Sequence, residues 1–376
     1  MVLKKNSRSI TQIKGSVRNY FREIDGPLIV LVIVLTLFSL VNMYGLSQPE
    51  SGSNYFSKQV TYVAVGMILM ILFSFFDFRY LKNYSLPVVI GYLFAVFLLV
   101  LTFYSHSIRG VNSWIVLGRY TFEPSELTKL VMIVLMGKYF SQRHIHINQF
   151  RHLIISGIYF SIPLAIILVQ PDLGSAIILS LVWLGMLMAA GISKKNLVLL
   201  LMVGLILTSV GWLGVLKPYQ KERVIAFINP YDDPRNSDYN LIQSQIAIGS
   251  GYMLGKGFGN GPQVNLKFLP EPHNDFVFAS IAEQFGLLGV SIVMFMILML
   301  IVRIMHIGRR TSSNFGKLFS VGMAIFIFSH MFVGAGVNIG IMPITGLPFP
   351  FLSYGGSNYI SIMIGLGIVQ SIKRYG

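Results

Sequence analysis

Hydrophobic residues in this chain fall into long, nearly unbroken runs, with neither strand-like alternation nor the one-sided stripe of a surface helix. Ten such runs lie near 26–45, 58–76, 86–103, 124–140, 153–170, 173–191, 197–216, 275–302, 316–342 and 352–372. A helix needs about 20 mostly apolar residues to cross a bilayer, with a range near 17 to 25. The pattern therefore predicts an all-α polytopic membrane protein with about ten transmembrane helices. The first run follows 25 residues, lacks a small-residue cleavage site and is succeeded by further runs. It reads as a span rather than a cleaved signal peptide.

The polar segments between runs differ in charge. The tail 1–25 and every second connection (77–85, 138–152, 193–196, 303–317 and 371–376) hold 19 of the 29 Lys and Arg but only three acids, Glu23, Asp25 and Asp77. The positive-inside rule places these segments, and both termini, in the cytoplasm. An even number of spans agrees with that. The opposite side carries the longer connections. Segment 104–123 is moderate, and 217–274, between spans 7 and 8, is a large outer loop rich in Gly, Pro, Asn and Tyr. Long loops in compact proteins are usually functional or disordered, and this one has no low-complexity run, so it predicts an ordered outer cap. The whole of 1–376 reads as a single membrane domain, with 1–25 as its cytoplasmic tail. No internal repeat of the inverted-transporter kind is evident.

Composition sharpens this picture. The 376 residues are 54% hydrophobic and 11% charged, and mean hydropathy is +0.68. Disorder, an ordinary soluble enzyme and a nucleic-acid module are excluded. The net charge of +15 divides into an excess on the cytoplasmic side and near neutrality elsewhere. It reports orientation and contact with anionic lipid. The absence of cysteine removes disulfides and thiolate-ligated metals.

Candidate chemistry gathers at the outer side. In Glu123-Pro124-Ser125-Glu126-Leu127-Thr128-Lys129 the proline marks a first helical turn, so Glu126 and Lys129 share a face three residues apart. Two readings are evenly matched: a helix-dipole carboxylate with a snorkelling lysine, and an ion pair facing a polar cavity. In Gln170-Pro171-Asp172-Leu173-Gly174, Asp172 reads first as a helix cap. In Leu269-Pro270-Glu271-Pro272-His273-Asn274-Asp275, two carboxylates and a histidine cluster at the mouth of span 8. There Asp275 is either an N-cap or a partly desolvated base. Glu283 lies two turns further in and could share its face. The glycine-rich run 249–261 fits neither a P-loop nor a dinucleotide fingerprint and reads as turns, with Lys256 and backbone amides available to a phosphate. Prolines and glycines in 343–357 break the helix between the last spans, and irregular backbone at that depth should line a wet cavity. His144 and His146 read as solvated loop.

Taken together, these segments resemble the SEDS (shape, elongation, division and sporulation) family, of the RodA and FtsW type. The resemblance is carried by Arg109-Gly110 with Trp114-Ile115, the segment from Glu123 to Lys129, Gln170-Pro171-Asp172-Leu173-Gly174, Tyr219-Gln220 with Arg223, Tyr239-Asn240, Ala247-Ile248-Gly249-Ser250-Gly251 with Gly255-Lys256-Gly257, Leu269-Pro270-Glu271 with His273 and Asp275, and Ser353-Tyr354-Gly355-Gly356-Ser357. The chain has Asn274 where the family usually has threonine, and Glu283-Gln284 where paired glutamates are common. The resemblance implies a peptidoglycan glycosyltransferase. It would polymerise lipid II at the outer face of the bacterial cytoplasmic membrane beside a class B penicillin-binding protein, a transpeptidase, and would serve cell shape or division. It implies Asp275 as the catalytic base. Arg109, Lys129 and Lys256 would be candidate partners of the departing pyrophosphate, or a divalent cation (Mg or Mn) would serve instead. Glu126, Asp172, Glu271, His273 and Glu283 would support the site. No organic cofactor and no nucleic-acid partner are expected. A lipid II flippase or other transporter, and a non-catalytic scaffold for cell-wall enzymes, are the alternatives from other classes.

Overall fold

The computed structural model describes residues 23–46, 55–105, 113–118, 120–143, 150–214, 221 and 239–376. Its helices are α1 Gly26–Leu46, α2 Tyr55–Phe75, α3 Arg79–Asn83, α4 Leu86–Leu101, α5 Pro124–Arg143, α6 Phe150–Val169, α7 Leu173–Ala189, α8 Lys194–Gly214, α9 Tyr239–Ser250, α10 Pro262–Asn265, α11 Val277–Arg310, α12 Asn314–Ile339 and α13 Gly356–Tyr375. A two-stranded antiparallel hairpin, β1 Ile115–Leu117 and β2 Tyr120–Phe122, precedes α5, with Val116 opposite Thr121.

Eight of the described helices are long and apolar enough to cross a membrane. Each coincides with a predicted run. The other two runs correspond to α5 and α13, which have 20 residues each and are long enough, at about 1.5 Å per residue, to span roughly 30 Å. They fall short in hydropathy because they carry many of the chain's inward-facing polar groups. The described part of the long connection 217–274 includes α9 and α10, and α9 packs on α11 and α12.

Burial is inverted relative to a soluble protein. Large apolar side chains such as Leu37, Leu93, Phe97, Leu205 and Phe295 are exposed, while Glu126, Lys129, His330, Asn338, Asn358 and Gln370 are buried. Apolar exposure on this scale suits lipid, and polar groups so far from water must find partners inside. Packing is close where small residues permit it. α13 lies along α2, and a Cβ at Gly367 would come within 2.6 Å of the Met70 carbonyl.

Near the start of α1 one buried carboxylate ties three helices together. Asp25, just before α1, receives Arg303 of α11 through Nε and Nη2 at 2.8 Å each and Lys373 of α13 at 3.2 Å. Burial pulls its pKa up, but the Arg303 hydrogen bond, the Leu28 amide and Lys373 together outweigh that and hold the carboxyl below its ordinary range.

The glycine-rich run proves to be a splice in the wall of the fold. α11 breaks at Gly286, whose φ of 66° and ψ of −169° are outside the helical region. The break frees the carbonyls of Glu283 and Gln284 and the amides of Leu287 and Leu288. All four are taken up by 252–257: Lys256 N donates to Glu283 O at 2.9 Å, Gly257 N to Gln284 O at 3.1 Å, Leu287 N to Tyr252 O at 2.9 Å and Leu288 N to Met253 O at 3.1 Å. Such reciprocal pairing keeps a broken helix tolerable at membrane depth. The Lys256 and Gly257 amides expected to be open to a phosphate are therefore already engaged with α11.

Candidate active site

Six segments meet at one end of the bundle around a cavity of about 390 Å³. They are α2, the hairpin with the residues before it, Glu123 ahead of α5, the α6–α7 turn, residues 271–275 ahead of α11, and the stretch 345–358 that leads into α13. From the predicted set, the cavity collects Asp172, Glu271, His273 and Asp275. To these the fold adds Glu123, Asn358 and an aromatic wall of Tyr55, Tyr62, Tyr354 and Trp114.

Asp275 is not the cap of α11. That position falls on Phe276, which makes no side-chain cap hydrogen bond, and Asp275 faces the cavity instead. Its backbone is pinned from α12, where Asn338 Nδ2 donates to the Asp275 carbonyl at 2.9 Å. The same nitrogen donates to Gly334 O at 2.8 Å, and Asn338 Oδ1 accepts from Ala279 N at 3.1 Å. The stretch before α13 is sewn to the same segment. Tyr354 N donates to His273 O at 2.8 Å, Ser353 Oγ to Asn274 O at 2.7 Å, and Phe349 N to Ser353 Oγ at 2.8 Å. A Cβ at Gly346 would lie 3.9 Å from Asp275 Oδ2, so that carboxylate oxygen sits over the loop. His273 is 3.4 Å from Glu271 and stacks on Tyr55 with ring centroids 3.9 Å apart.

On another wall Glu123 and Asp172 approach one another through two serines. Glu123 Oε1 accepts from Ser125 Oγ at 2.6 Å and Ser175 Oγ at 3.5 Å. Asp172 Oδ1 accepts from Ser175 N at 2.9 Å, the helix cap its sequence context predicts. Burial, then the charges of Glu126 and Asp172, push Glu123 up to about 8. Asp172 is also raised, by burial first. Glu123 is thus a neutral acid at pH 7, a donor as well as an acceptor.

The Glu126–Lys129 pair stands behind the cavity, not in it. Lys129 Nζ lies 2.7 Å from Glu126 Oε1, and both side chains are fully buried. Burial excludes the snorkelling alternative. Glu126 Oε2 accepts from Asn358 Nδ2 at 2.9 Å and lies 3.6 Å from His330 Nε2. His330 Nδ1 is 3.2 Å from the Pro348 carbonyl, which can only accept, so Nδ1 is the donor. Asn358 and Pro348 both line the cavity, so the ion pair holds up its wall from behind.

Two predicted members are elsewhere. Glu283 is buried at the foot of α10, where Oε1 accepts from Gln263 N at 2.8 Å and Oε2 from Val264 N at 3.3 Å. It satisfies helix-terminal amides and does not line the cavity with Asp275, which lies ahead of α11 and outside its helical register. Lys256 has its Nζ 5.4 Å from the Tyr252 ring centre and is not a cavity residue. Arg109, the His144/His146 pair, and Tyr219, Gln220 and Arg223 lie outside the described residues. Among the described residues no three His, Asp or Glu side chains form a set able to hold a metal ion.

The sequence reasoning missed Glu123, Asn338, Asn358, His330 and the tyrosines. Glu123 had a signal, since a residue directly before a helix-starting proline sits at the membrane surface. Asn338, Asn358 and His330 lie within apolar runs, where only tertiary pairing reveals them.

Comparison with known proteins agrees with this architecture. The model of the cell cycle protein family FtsW/RodA/SpoVE matches residues 26–376. The peptidoglycan glycosyltransferase MrdB of Escherichia coli K12 is 31% identical over 353 residues, covering 94% of each chain. Stage V sporulation protein E of Bacillus subtilis is 30% identical over 361 residues, covering 93% of this chain and 97% of the relative. A structure described as a peptidoglycan synthase complex coordinating polymerization and crosslinking contains a chain with TM-score 0.78 and 27% identity, matched over 93% of this chain and 98% of that one. The rod shape determining protein RodA of Thermus thermophilus gives a TM-score of 0.69 at 25% identity, over 93% and 97% of the two chains. With a family model covering all but the N-terminal tail and full-length relatives above 30% identity, the chain belongs to the FtsW/RodA/SpoVE family.

Proposed function

We propose that this protein is a peptidoglycan glycosyltransferase that polymerises lipid II. The observation that carries the reading is a carboxylate, Asp275, held at a cavity at one end of a membrane bundle, in a chain whose relatives bear that activity in their names.

In this reading the acceptor sugar's 4-hydroxyl gives its proton to the Asp275 carboxylate as its oxygen attacks the donor's anomeric carbon. The new C–O bond forms as the bond to the polyprenyl pyrophosphate breaks, and the leaving group carries off the electron pair. One base and one stabilised leaving group suffice for an inverting transfer. Asn338 and the Ser353–Asn274 contact hold the base in place. Glu126, Lys129 and His330 stiffen the wall that carries Asn358 and Pro348. The ten-span topology has both termini in the cytoplasm and the cavity on the outer side of the cytoplasmic membrane, which is where the basic loops would orient it. A class B penicillin-binding protein is the proposed partner, since the neighbour in the synthase complex belongs to an assembly coordinating polymerization with crosslinking.

The test gives lipid II to the purified protein with its cognate penicillin-binding protein, as wild type and as Asp275→Ala. Glycan strands from the wild type and none from a folded variant are expected. Undiminished strands from Asp275→Ala remove that residue from the mechanism, and none from the intact wild-type complex removes the activity. Movement of lipid II in liposomes that survives the same substitution would favour the flippase.

A further inference from the structure

The walls of the cavity have a definite chemical character. Glu123, Asp172, Glu271 and Asp275 all line it, and so do the rings of Tyr55, Tyr62 and Tyr354. Tyr55 and Tyr354 approach edge to face with centroids 5.5 Å apart, Tyr62 and Tyr354 likewise at 6.1 Å, so the three rings cluster on one side of the cavity. Burial first, then neighbouring Tyr62, raises the Tyr354 pKa above its ordinary value, so its hydroxyl stays protonated.

Ionised or protonated, such acids accept hydrogen bonds from hydroxyl and amide groups, a protonated one also donates to them, and the ionised ones repel phosphate oxygens. Aromatic faces receive the C–H side of a pyranose ring. At about 390 Å³ the space is at the small end for ligand pockets, sufficient for roughly one or two sugar rings and not for a lipid-linked molecule with its chain.

Resting on the polymerase reading, we propose that this cavity seats the neutral terminal saccharide of the acceptor, with its ring on the Tyr55–Tyr354–Tyr62 wall. Glu123 and Asp172 receive its hydroxyl and amide groups. The donor's diphosphate stays outside, on the approach to Asp275. The arrangement separates the two reactants by polarity: a seat lined by hydrogen-bonding acids and rings takes an uncharged part of the substrate that is rich in hydroxyls. It also explains why the buried Lys129 is neutralised by Glu126 behind the wall instead of being turned towards an anion.

The test is equilibrium binding of radiolabelled, lipid-free N,N′-diacetylchitobiose, an uncharged disaccharide of N-acetylglucosamine, to the full-length protein in detergent, with inorganic pyrophosphate as competitor. The disaccharide should bind, and equimolar pyrophosphate should not displace it. Tyr55→Ala should weaken binding by about tenfold and Tyr55→Phe by less than about threefold, because the ring and not the hydroxyl makes the contact. Asp172→Asn, which preserves shape, gives a second measure should Tyr55→Ala fail to fold. Displacement by pyrophosphate, wild-type binding by both Tyr55→Ala and Asp172→Asn, or no binding of the disaccharide would each overturn the proposal. Lipid II polymerisation by the same preparation separates this idea from its parent. Polymer without disaccharide binding removes only the sugar seat, whereas disaccharide binding without polymer removes the polymerase reading.

Discussion

The side-chain amide of Asn338, near the end of α12, donates to the backbone carbonyl of Asp275 at 2.9 Å. A residue with no charge and no place in the cavity thereby sets the position of the proposed base. Its remaining bonds run to Gly334 and to the first turn of α11, so one amide fixes the end of α11 against α12.

That contact predicts a positional defect on substitution. Asn338→Ala would leave the Asp275 carbonyl and the Ala279 amide without their partner, at a cost of about 1–3 kcal/mol for buried groups. Small misplacements of a base lower rates sharply, so polymerisation should fall by about tenfold or more while binding of lipid II changes little. Single-turnover rates measured beside lipid II binding check this. Equal losses in both would mean the residue supports the fold generally.

The Glu126–Lys129 pair makes a different kind of prediction. Removing one partner leaves an uncompensated buried charge, at a cost near 3–5 kcal/mol, whereas removing both leaves none. Glu126→Gln and Lys129→Met should each lower the unfolding temperature in detergent markedly. The double variant should recover much of that loss, because Glu126→Gln keeps a side-chain carbonyl oxygen to which Asn358 can still donate. A double variant that sums the two single losses would contradict the pairing seen at 2.7 Å.

Much of the fold was legible because a membrane imposes a length and a polarity on each element, and all ten predicted runs contain a long helix. The split charge of the connections was equally plain in the sequence. Within the site, Asp172, Glu271, His273 and Asp275 declared themselves by lying where apolar runs begin. Glu283 misled because i+8 spacing assumes one continuous helix, whereas α11 begins at Val277 and Asp275 lies ahead of it. Lys256 misled because a glycine-rich turn with a lysine offers its amides to a phosphate until those amides are traced to α11. His330, Asn338 and Asn358 could not be read at all. A polar residue in an apolar run gains its meaning from a partner distant in sequence, as Asn358 does from Glu126, 232 positions away.

Glu123 predicts how stability depends on pH. Its pKa is raised from 4.5 to about 8 in the folded protein, by burial first and then by the charge of Glu126. Between those two values the folded state holds a proton that the unfolded state has released. Stability from this group therefore declines as pH rises from about 4.5 to about 8 and levels off beyond. Glu123→Gln, which stays neutral, should flatten that part of the profile and raise the unfolding temperature most near pH 8. Thermal unfolding of the two proteins in one detergent across that range is the measurement. Parallel curves would show that Glu123 is ionised in the cavity throughout.

The break in α11 gives the last prediction. Gly286 combines a φ of 66° with a neighbour so close that an added Cβ would lie 2.5 Å from the Gly255 amide nitrogen and from the Met253 carbonyl oxygen. Alanine there meets both obstacles, a left-handed backbone costing about 1–2 kcal/mol and a clash with backbone that cannot rotate away. The splice would open, freeing the Leu287 and Leu288 amides and the Glu283 and Gln284 carbonyls together. Because α11 begins directly after Asp275 and Phe276, the displacement should reach the cavity, so Gly286→Ala should lose polymerisation as well as stability. Gly249→Ala is the control, since a Cβ there meets nothing within 4 Å. Hydrogen exchange at 252–257 should accelerate in Gly286→Ala and remain as in wild type in Gly249→Ala. Unchanged protection in both variants would mean that these amides do not depend on the break for their partners.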